Sequence, residues 1–380
     1  MTRNGILMNE LKSPIIKVLG FGGCGSNTVA ELSDLQTPGL KIIAANTDFL
    51  NLSRCSSQTK IRLGETVCSG LGTGGNLEQG RLAAQESYKE IIEEVRSASL
   101  VILTAGMGGG TGSGAIEIAA RITRSLDIPT ISFVSLPFSF ESELRKTVAF
   151  QATIALQEFT DTLITIPNDK LIAQSTGDNN ISGAFEKANL PLRKFILGLF
   201  DLIDHTGSMH IDLSYVNDAL RARNGMFITT GKASGPDRVS LALENALDIP
   251  FLDTTQFGNT NQVILKMTGN TSVEEAQSAI ACLQEKFPAE PHITPILAAC
   301  DRDPHLTLSL LVNGIGATPV SYPISWSDKK DGKRFPQSNT PNHAWSGKNQ
   351  KKQEFQDILE VPAFMRNQKY RMKEITPQNE

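Results

Sequence analysis

The 380-residue sequence has no paired metal-ligand spacing. Its five cysteines, Cys24, Cys55, Cys68, Cys282 and Cys300, form no CxxC motif, and no paired histidines accompany them. Neither a zinc site nor a disulfide framework follows, and the thiols read as the reduced cysteines of a cytosolic protein. An excess of positive charge is also missing: 36 Lys and Arg stand against 40 Asp and Glu, a formal net charge of -4. No basic field invites nucleic acid. The opening MTRNGILMNELKS lacks an apolar signal core, and no apolar run approaches the roughly 18 residues of a membrane helix, so a soluble chain is expected. The motif GxxxxGK[ST] is absent too. Any phosphate held here is held without the usual loop lysine.

What the sequence does have is glycine in two clusters. Gly106 to Gly114 (GMGGGTGSG) follows the apolar run Leu100 to Ala105, and helical apolar spacing begins at Ala115. A strand ending in such a segment and leading into a helix exposes backbone N–H groups at a positive helix end, which is a phosphate cradle. The second cluster follows Ile15 to Leu19: Gly20, Gly22 and Gly25 fit GxGxxG, and a helix is expected to open near Thr28. Asp48, closing the strand-like run Lys41 to Asn46, stands where a dinucleotide fold places its ribose acid. A lone GxGxxG has two readings of comparable weight, a dinucleotide site or an ordinary tight turn.

Two cradles about 80 residues apart change that balance, since a dinucleotide unit needs only one per pyrophosphate. If both open at the same strand ends they wrap one triphosphate from two sides, and a third loop, Gly70 to Gly80, adds mobile backbone near that end. Backbone amides then neutralise most of the phosphate charge together with a bound Mg2+. The expected fold class is α/β, a doubly wound parallel sheet with a second, smaller α+β unit, since 380 residues favour two domains over one. The expected ligand is a nucleoside triphosphate.

The glycine run Gly108 to Gly114, with AANTD (Ala44 to Asp48), PFSFE (Pro137 to Glu141), IPNDKL (Ile166 to Leu171), GKASGPDR (Gly231 to Arg238) and VNGIG (Val312 to Gly316), resembles the FtsZ family, bacterial cell-division relatives of tubulin. The resemblance covers about residues 12 to 318 and a tail motif. It implies a GTPase using GTP, GDP and Mg2+, the metal held through the phosphates and by no protein side chain. It implies that Gly22, Gly23, Cys24, Gly25, Ser26 and Asn27 line the nucleotide, and that Gly106, Gly108, Gly109, Gly110, Thr111 and Gly112 hold its phosphates. Asn46 is implied near phosphates and sugar, Glu141 near the ribose, Arg145 beside the nucleotide and Asn189 on the guanine edge, with Phe185 a further nucleotide-binding residue. Without the resemblance, Glu141 and Arg145 are an i,i+4 surface pair, Asn189 a polar helix residue and Cys24 a small filler.

Ile181 to Asp204 carries a long apolar helical stripe containing Pro191, which either bends the helix or marks its first turn. The loop beyond it departs from the family pattern Asn-x-Asp-x-x-Asp, in which the acids reach a neighbouring subunit's nucleotide. His210, Asp212 and Tyr215 occupy those positions, so Asp212 is the one acid retained and Tyr215 replaces the other. A phenol with a pKa near 10 is no carboxylate at neutral pH. The resemblance therefore implies GTP binding and head-to-tail self-association in a division-ring filament, with slowed hydrolysis. A non-hydrolysing scaffold or regulator is the alternative, and an oxidoreductase a remote one.

The implied layout is a flexible N-terminus (1–11), a GTP-binding domain (12–185), a central helix (186–209), an α+β domain (210–318), a linker (319–356) and a docking tail (357–380). In the α+β domain, Arg238 to Asp248 and Ser272 to Phe287 read as helices, and Gln262 to Thr268, His292 to Cys300 and Leu306 to Val312 as strands of a small mixed sheet. The linker is rich in Pro, Ser, Asn, Lys, Asp and Gln, the makeup of disorder. In the tail, Val361, Pro362, Phe364 and Met365 match the family's short apolar docking peptide for membrane-tethering and regulatory division proteins, and the basic Arg366, Lys369, Arg371 and Lys373 follow. The implied location is the cytoplasm, at midcell.

Overall fold

The computed structural model describes residues 14–173, 181–203, 212–221, 225–249, 260–287, 290–299 and 305–314. In the first of these stretches strands and helices alternate. β1 (Ile16–Phe21) leads into α1 (Gly22–Glu31), and β2 (Leu40–Asn46) into α2 (Phe49–Arg54). β3 (Thr59–Arg62) is followed by α3 (Glu65–Cys68), α4 (Leu77–Glu86) and α5 (Tyr88–Val95). Then come β4 (Leu100–Gly106), α6 (Gly110–Ser125), β5 (Thr130–Leu136), α7 (Glu143–Phe159), β6 (Thr162–Pro167) and α8 (Asn168–Ala173). The six strands form one parallel sheet in the order β3-β2-β1-β4-β5-β6.

Successive strand residues point to opposite faces, and both faces are covered, so these strands read as unbroken apolar runs. Ile16 and Val18 of β1 enter one core, and Leu19 and Phe21 the other. The order of strands reverses between β1 and β4. A crevice at the carboxyl ends of those two strands is where such sheets bind ligands.

The second sheet is smaller and mixed, as the sequence predicts. α9 (Ile181–Ile203) and α10 (Leu213–Arg221) precede β7 (Met226–Ala233), α11 (Arg238–Leu247), β8 (Gln262–Gly269), α12 (Val273–Lys286), β9 (His292–Ala299) and β10 (Leu306–Asn313). The strand order is β7-β10-β8-β9, with β10 antiparallel to β7 and β8, and β8 parallel to β9. β7 was not among the strands expected from the sequence.

α9 lies between the sheets. Its Phe195 meets Phe133 of β5 edge-on at 5.0 Å and Phe227 of β7 at 6.1 Å, and Leu192, Ile196, Leu199 and Leu202 are buried in the same core. Pro191 sits inside this helix. Its ring removes one intrahelical bond, and the apolar face from Leu192 onward packs between the two sheets.

Two expectations about helix starts are corrected. α1 opens at Gly22, not near Thr28, and α6 at Gly110, not Ala115. Glycine is a poor helix former in isolation, but several glycines at the starts of these helices are packed too tightly for a side chain. A Cβ on Gly114 would stand 2.5 Å from the Leu77 carbonyl oxygen and 2.6 Å from the Arg81 nitrogen of α4.

Candidate functional site

The two glycine segments emerge side by side, because β1 and β4 are neighbours in the sheet. Gly22 has a φ of 70°, and a Cβ there would lie 2.8 Å from the backbone nitrogen of Gly112. Only glycine accepts both the left-handed backbone and that approach. Above the junction the cleft is open: no atom lies within 4 Å of where a Cβ on Gly23 or Gly109 would be.

Neither helix that starts in this cleft is capped by a side chain, and neither has an acid in its first turn. Asn76 on α4, Ser142 on α7 and Ser272 with Glu275 on α12 do cap their helices, whereas α3, α5 and α11 are uncapped like α1 and α6. What sets α1 and α6 apart is that their starts meet in one cleft. The unsatisfied first-turn N–H groups of α1 and α6, with two positive dipole ends, make the cleft suited to an anion such as phosphate.

A hydroxyl cluster braces it. Thr111 in the first turn of α6 lies 2.6 Å from the Thr47 hydroxyl and 3.3 Å from that of Thr73. Thr47 and Thr73 were not singled out in the sequence, although one belongs to AANTD and the other to the Gly70–Gly80 segment. That segment is not simply mobile backbone, as expected. Its last residues form the first turn of α4, Asn76 accepts from the nitrogens of Glu78 and Gln79, and Gly80 abuts the Gly110 carbonyl.

Asp48 has a structural role that the sequence did not indicate. Its carboxylate accepts from the Asn51 nitrogen at 2.9 Å and caps α2. Asn46 is buried beside it, donating to Asn51 Oδ1 at 3.1 Å and accepting from the Asp48 nitrogen at 3.3 Å.

Cys24 as a residue is exposed to the cleft, but its Sγ is set against β4 and β5, close over Gly106 and 3.6 Å from Ser135 Oγ. Desolvation by the surrounding protein pushes its thiol pKa up, against hydrogen bonds from Ser135 and Thr28 that pull it down. Ser26 is buried, and its hydroxyl has no partner among the described residues. Asn27 is exposed one residue on. Gly108, with φ of 95°, runs under the Arg145 carbonyl, 2.8 Å from the place of its absent Cβ.

Glu141 and Arg145 pair with each other at 2.5 Å, and Glu141 also accepts from the Phe138 nitrogen at 2.9 Å. Asn189 reaches α1: its Oδ1 accepts from Thr28 at 2.8 Å and its Nδ2 donates to Glu31 at 2.8 Å. Phe185 lies on α9, but its side chain is outside the described residues, as are His210, the linker and the tail positions Val361, Pro362, Phe364 and Met365.

A family model described as "Tubulin/FtsZ family, GTPase domain" matches residues 15–176. The "Cell division protein FtsZ" of Pseudomonas aeruginosa is 32% identical over 365 residues, covering 95% of this chain and 91% of its own length. The chain belongs to the tubulin/FtsZ family. Among solved structures, the empty FtsZ dimer of M. jannaschii matches with a TM-score of 0.69 at 29% identity, over 80% of this chain and 90% of that one. CetZ2 from Haloferax volcanii, at 17% identity, shares the fold with a TM-score of 0.65 over 91% of this chain and 100% of its own.

The loop after α9 contributes the last of the expected site residues that is described. Asp212 stands immediately before α10, its carbonyl accepting from the Tyr215 nitrogen at 3.0 Å. Asp212, Tyr215 and Asp218 are exposed, while Val216 and Leu220 face the core. At the other end of α10, Arg221 donates to the Asp127 carbonyl at 3.2 Å. Asp127 lies just before the amino end of β5, at the end of the parallel strands opposite the glycine cleft. Among the described residues no helix is long and apolar enough to cross a membrane.

Proposed function

We propose that this chain binds GTP in the cleft between β1 and β4 and polymerises head to tail into filaments of the cell-division scaffold. The observation that carries the reading is the contact of two uncapped helix starts, α1 at Gly22 and α6 at Gly110, beneath open space. That arrangement supplies amide donors to a polyphosphate from two sides and needs no lysine. Thr47, Thr73 and Thr111 hold the phosphate-side backbone, Glu141 and Arg145 exchange their mutual contact for sugar and nucleotide, and Asn189 meets the guanine. No protein side chain is assigned to Mg2+; carried in with the nucleotide, the ion would neutralise part of the triphosphate charge.

Hydrolysis is assigned to the junction between subunits. Arg221 ties α10 to the amino end of β5, away from the cleft by roughly 20 Å along that strand. That placement favours a neighbour's cleft as the partner of Asp212. With Tyr215 where a second carboxylate would orient water, the rate is lowered on the order of a hundredfold. A static, GTP-bound scaffold is the second reading, and the same substitution favours it.

The tail residues Val361, Pro362, Phe364 and Met365 are assigned to docking of membrane-tethering and regulatory division proteins, and the chain to the cytoplasm at midcell. Deleting residues 357–380 should remove capture by such partners and leave polymerisation intact. Calorimetry with GTP and GDP, beside sedimentation in GTP, tests the main reading. Uptake of both nucleotides and pelleting with GTP are the expected results, and folded protein that takes up neither would end it.

A further inference from the structure

The helix that starts in the cleft ends in a carboxylate that the family resemblance does not assign. Glu31 closes α1, one turn after Thr28, and its Oε2 accepts from Asn189 Nδ2 at 2.8 Å. Thr28 donates to Asn189 Oδ1 at 2.8 Å and to the Cys24 carbonyl at 3.0 Å. The amide of Asn189 is thus held at both ends by α1, with its orientation set.

An asparagine amide alone is a poor discriminator. It offers one donor side and one acceptor side, and it pairs as well with adenine as with guanine. A carboxylate only accepts. Guanine presents adjacent donors, the ring N1–H and the 2-amino group, whereas adenine presents a bare N1 lone pair and a C–H on the same edge.

We propose that Glu31 is a specificity-determining residue, accepting from the N1–H and 2-amino groups of guanine beside an Asn189 held in register. The inference rests on the nucleotide reading above and names the group that selects the base. Three further observations support it. Glu31 is exposed, so its second oxygen is accessible. Arg193, the nearby cation on α9, gives both guanidinium nitrogens to Asp34, each at 2.8 Å, and touches only the backbone carbonyl of Glu31, at 3.3 Å. Glu31 also lies roughly 14 Å along α1 from Gly22, at the negative end of the helix dipole. An acceptor there meets a donor-rich base edge without opposing the phosphates at the positive end.

The test compares GDP, IDP and ADP by calorimetry on the full chain and on Glu31→Gln, the diphosphates avoiding turnover. IDP carries hypoxanthine, which differs from guanine only in lacking the 2-amino group. The wild type should bind GDP about tenfold or more tighter than IDP, the size of one hydrogen bond to a charged group, and ADP more weakly still. In Glu31→Gln the GDP-to-IDP ratio should fall below about threefold, chiefly through loss of GDP affinity. A ratio that survives the substitution, or GDP and IDP affinities lowered by equal factors, would show that Glu31 merely braces α1 against α9. If the variant fails to fold, the wild-type comparison decides by itself: equal affinities for GDP and IDP overturn the assignment. Wild-type protein that binds none of the three would instead remove the nucleotide reading on which it stands.

Discussion

Gly22 and Gly112 stand so close that a Cβ on the first would lie 2.8 Å from the backbone nitrogen of the second, and Gly22 holds a φ of 70° that disfavours any side chain. This contact fixes the spacing of the two helix starts that frame the cleft. A methyl group at Gly22 has to push α1 and α6 apart.

Gly22→Ala should therefore lose more in binding than in folding. The left-handed backbone costs about 1–2 kcal/mol for a residue with a Cβ, seen as a lowered melting temperature. GDP affinity should fall more than about tenfold, because the amide donors of both helices no longer converge on one group. A variant that melts lower and still binds GDP normally would separate this contact from ligand binding.

The exposed face of α10 yields a paired prediction. Phosphate release by the wild type should be slow, Asp212→Ala should abolish it, and Tyr215→Asp should raise it on the order of a hundredfold by restoring a second carboxylate. Nucleotide affinity should be unchanged in both variants. Release from Tyr215→Asp no faster than from the wild type would dismiss the tyrosine as the cause.

Cys24 reports on cleft occupancy. Among the described cysteines it is the exposed one, with Cys55 and Cys282 half-buried and Cys68 buried. Its thiol is pushed up by desolvation, so iodoacetamide should label it slowly at neutral pH and faster as pH rises. Saturating GDP should slow that labelling more than about tenfold, as followed by mass spectrometry on the Cys24 peptide, since the reagent must enter the space the ligand fills. Labelling indifferent to GDP would place the ligand elsewhere.

The second sheet unit carries a pH-dependent link. The Arg238 guanidinium holds the Glu275 carboxyl below its ordinary value of 4.5, against partial desolvation and with help from the Ser272 backbone N–H. A carboxyl depressed in the folded state stabilises above its unfolded pKa, and that contribution disappears as pH falls through the folded value. Glu275→Gln should thus lower stability at pH 7 by on the order of 1 kcal/mol, discounted for exposure, and the gap to wild type should close in urea melts below about pH 4. A gap constant from pH 7 to pH 3 would mean that the capping geometry, and not the ion pair, is what the substitution removes.

Much of the architecture could be read from local composition. Leu100 to Ala105 and Lys41 to Asn46 are apolar enough to be strands covered on both faces, the spacing in Ser272 to Phe287 marks α12, and the glycine clusters mark the strand-to-helix turns. These signals are local, since burial period and turn chemistry are carried by neighbouring residues.

The early starts of α1 and α6, the capping role of Asp48, the contact of Thr47 and Thr73 on Thr111, and the hold of Thr28 and Glu31 on Asn189 were not legible. Glycine propensity argues against a helix at Gly22 and Gly110, and it is overruled by backbone packing against segments distant in the chain. By itself the sequence determined that this protein has an α/β sheet with two glycine-lined turns. Only the tertiary structure decided that those turns touch and which polar groups meet across them, because hydrogen-bond partners 38, 64 or 158 residues apart are set by how sheets and helices pack, not by any local pattern.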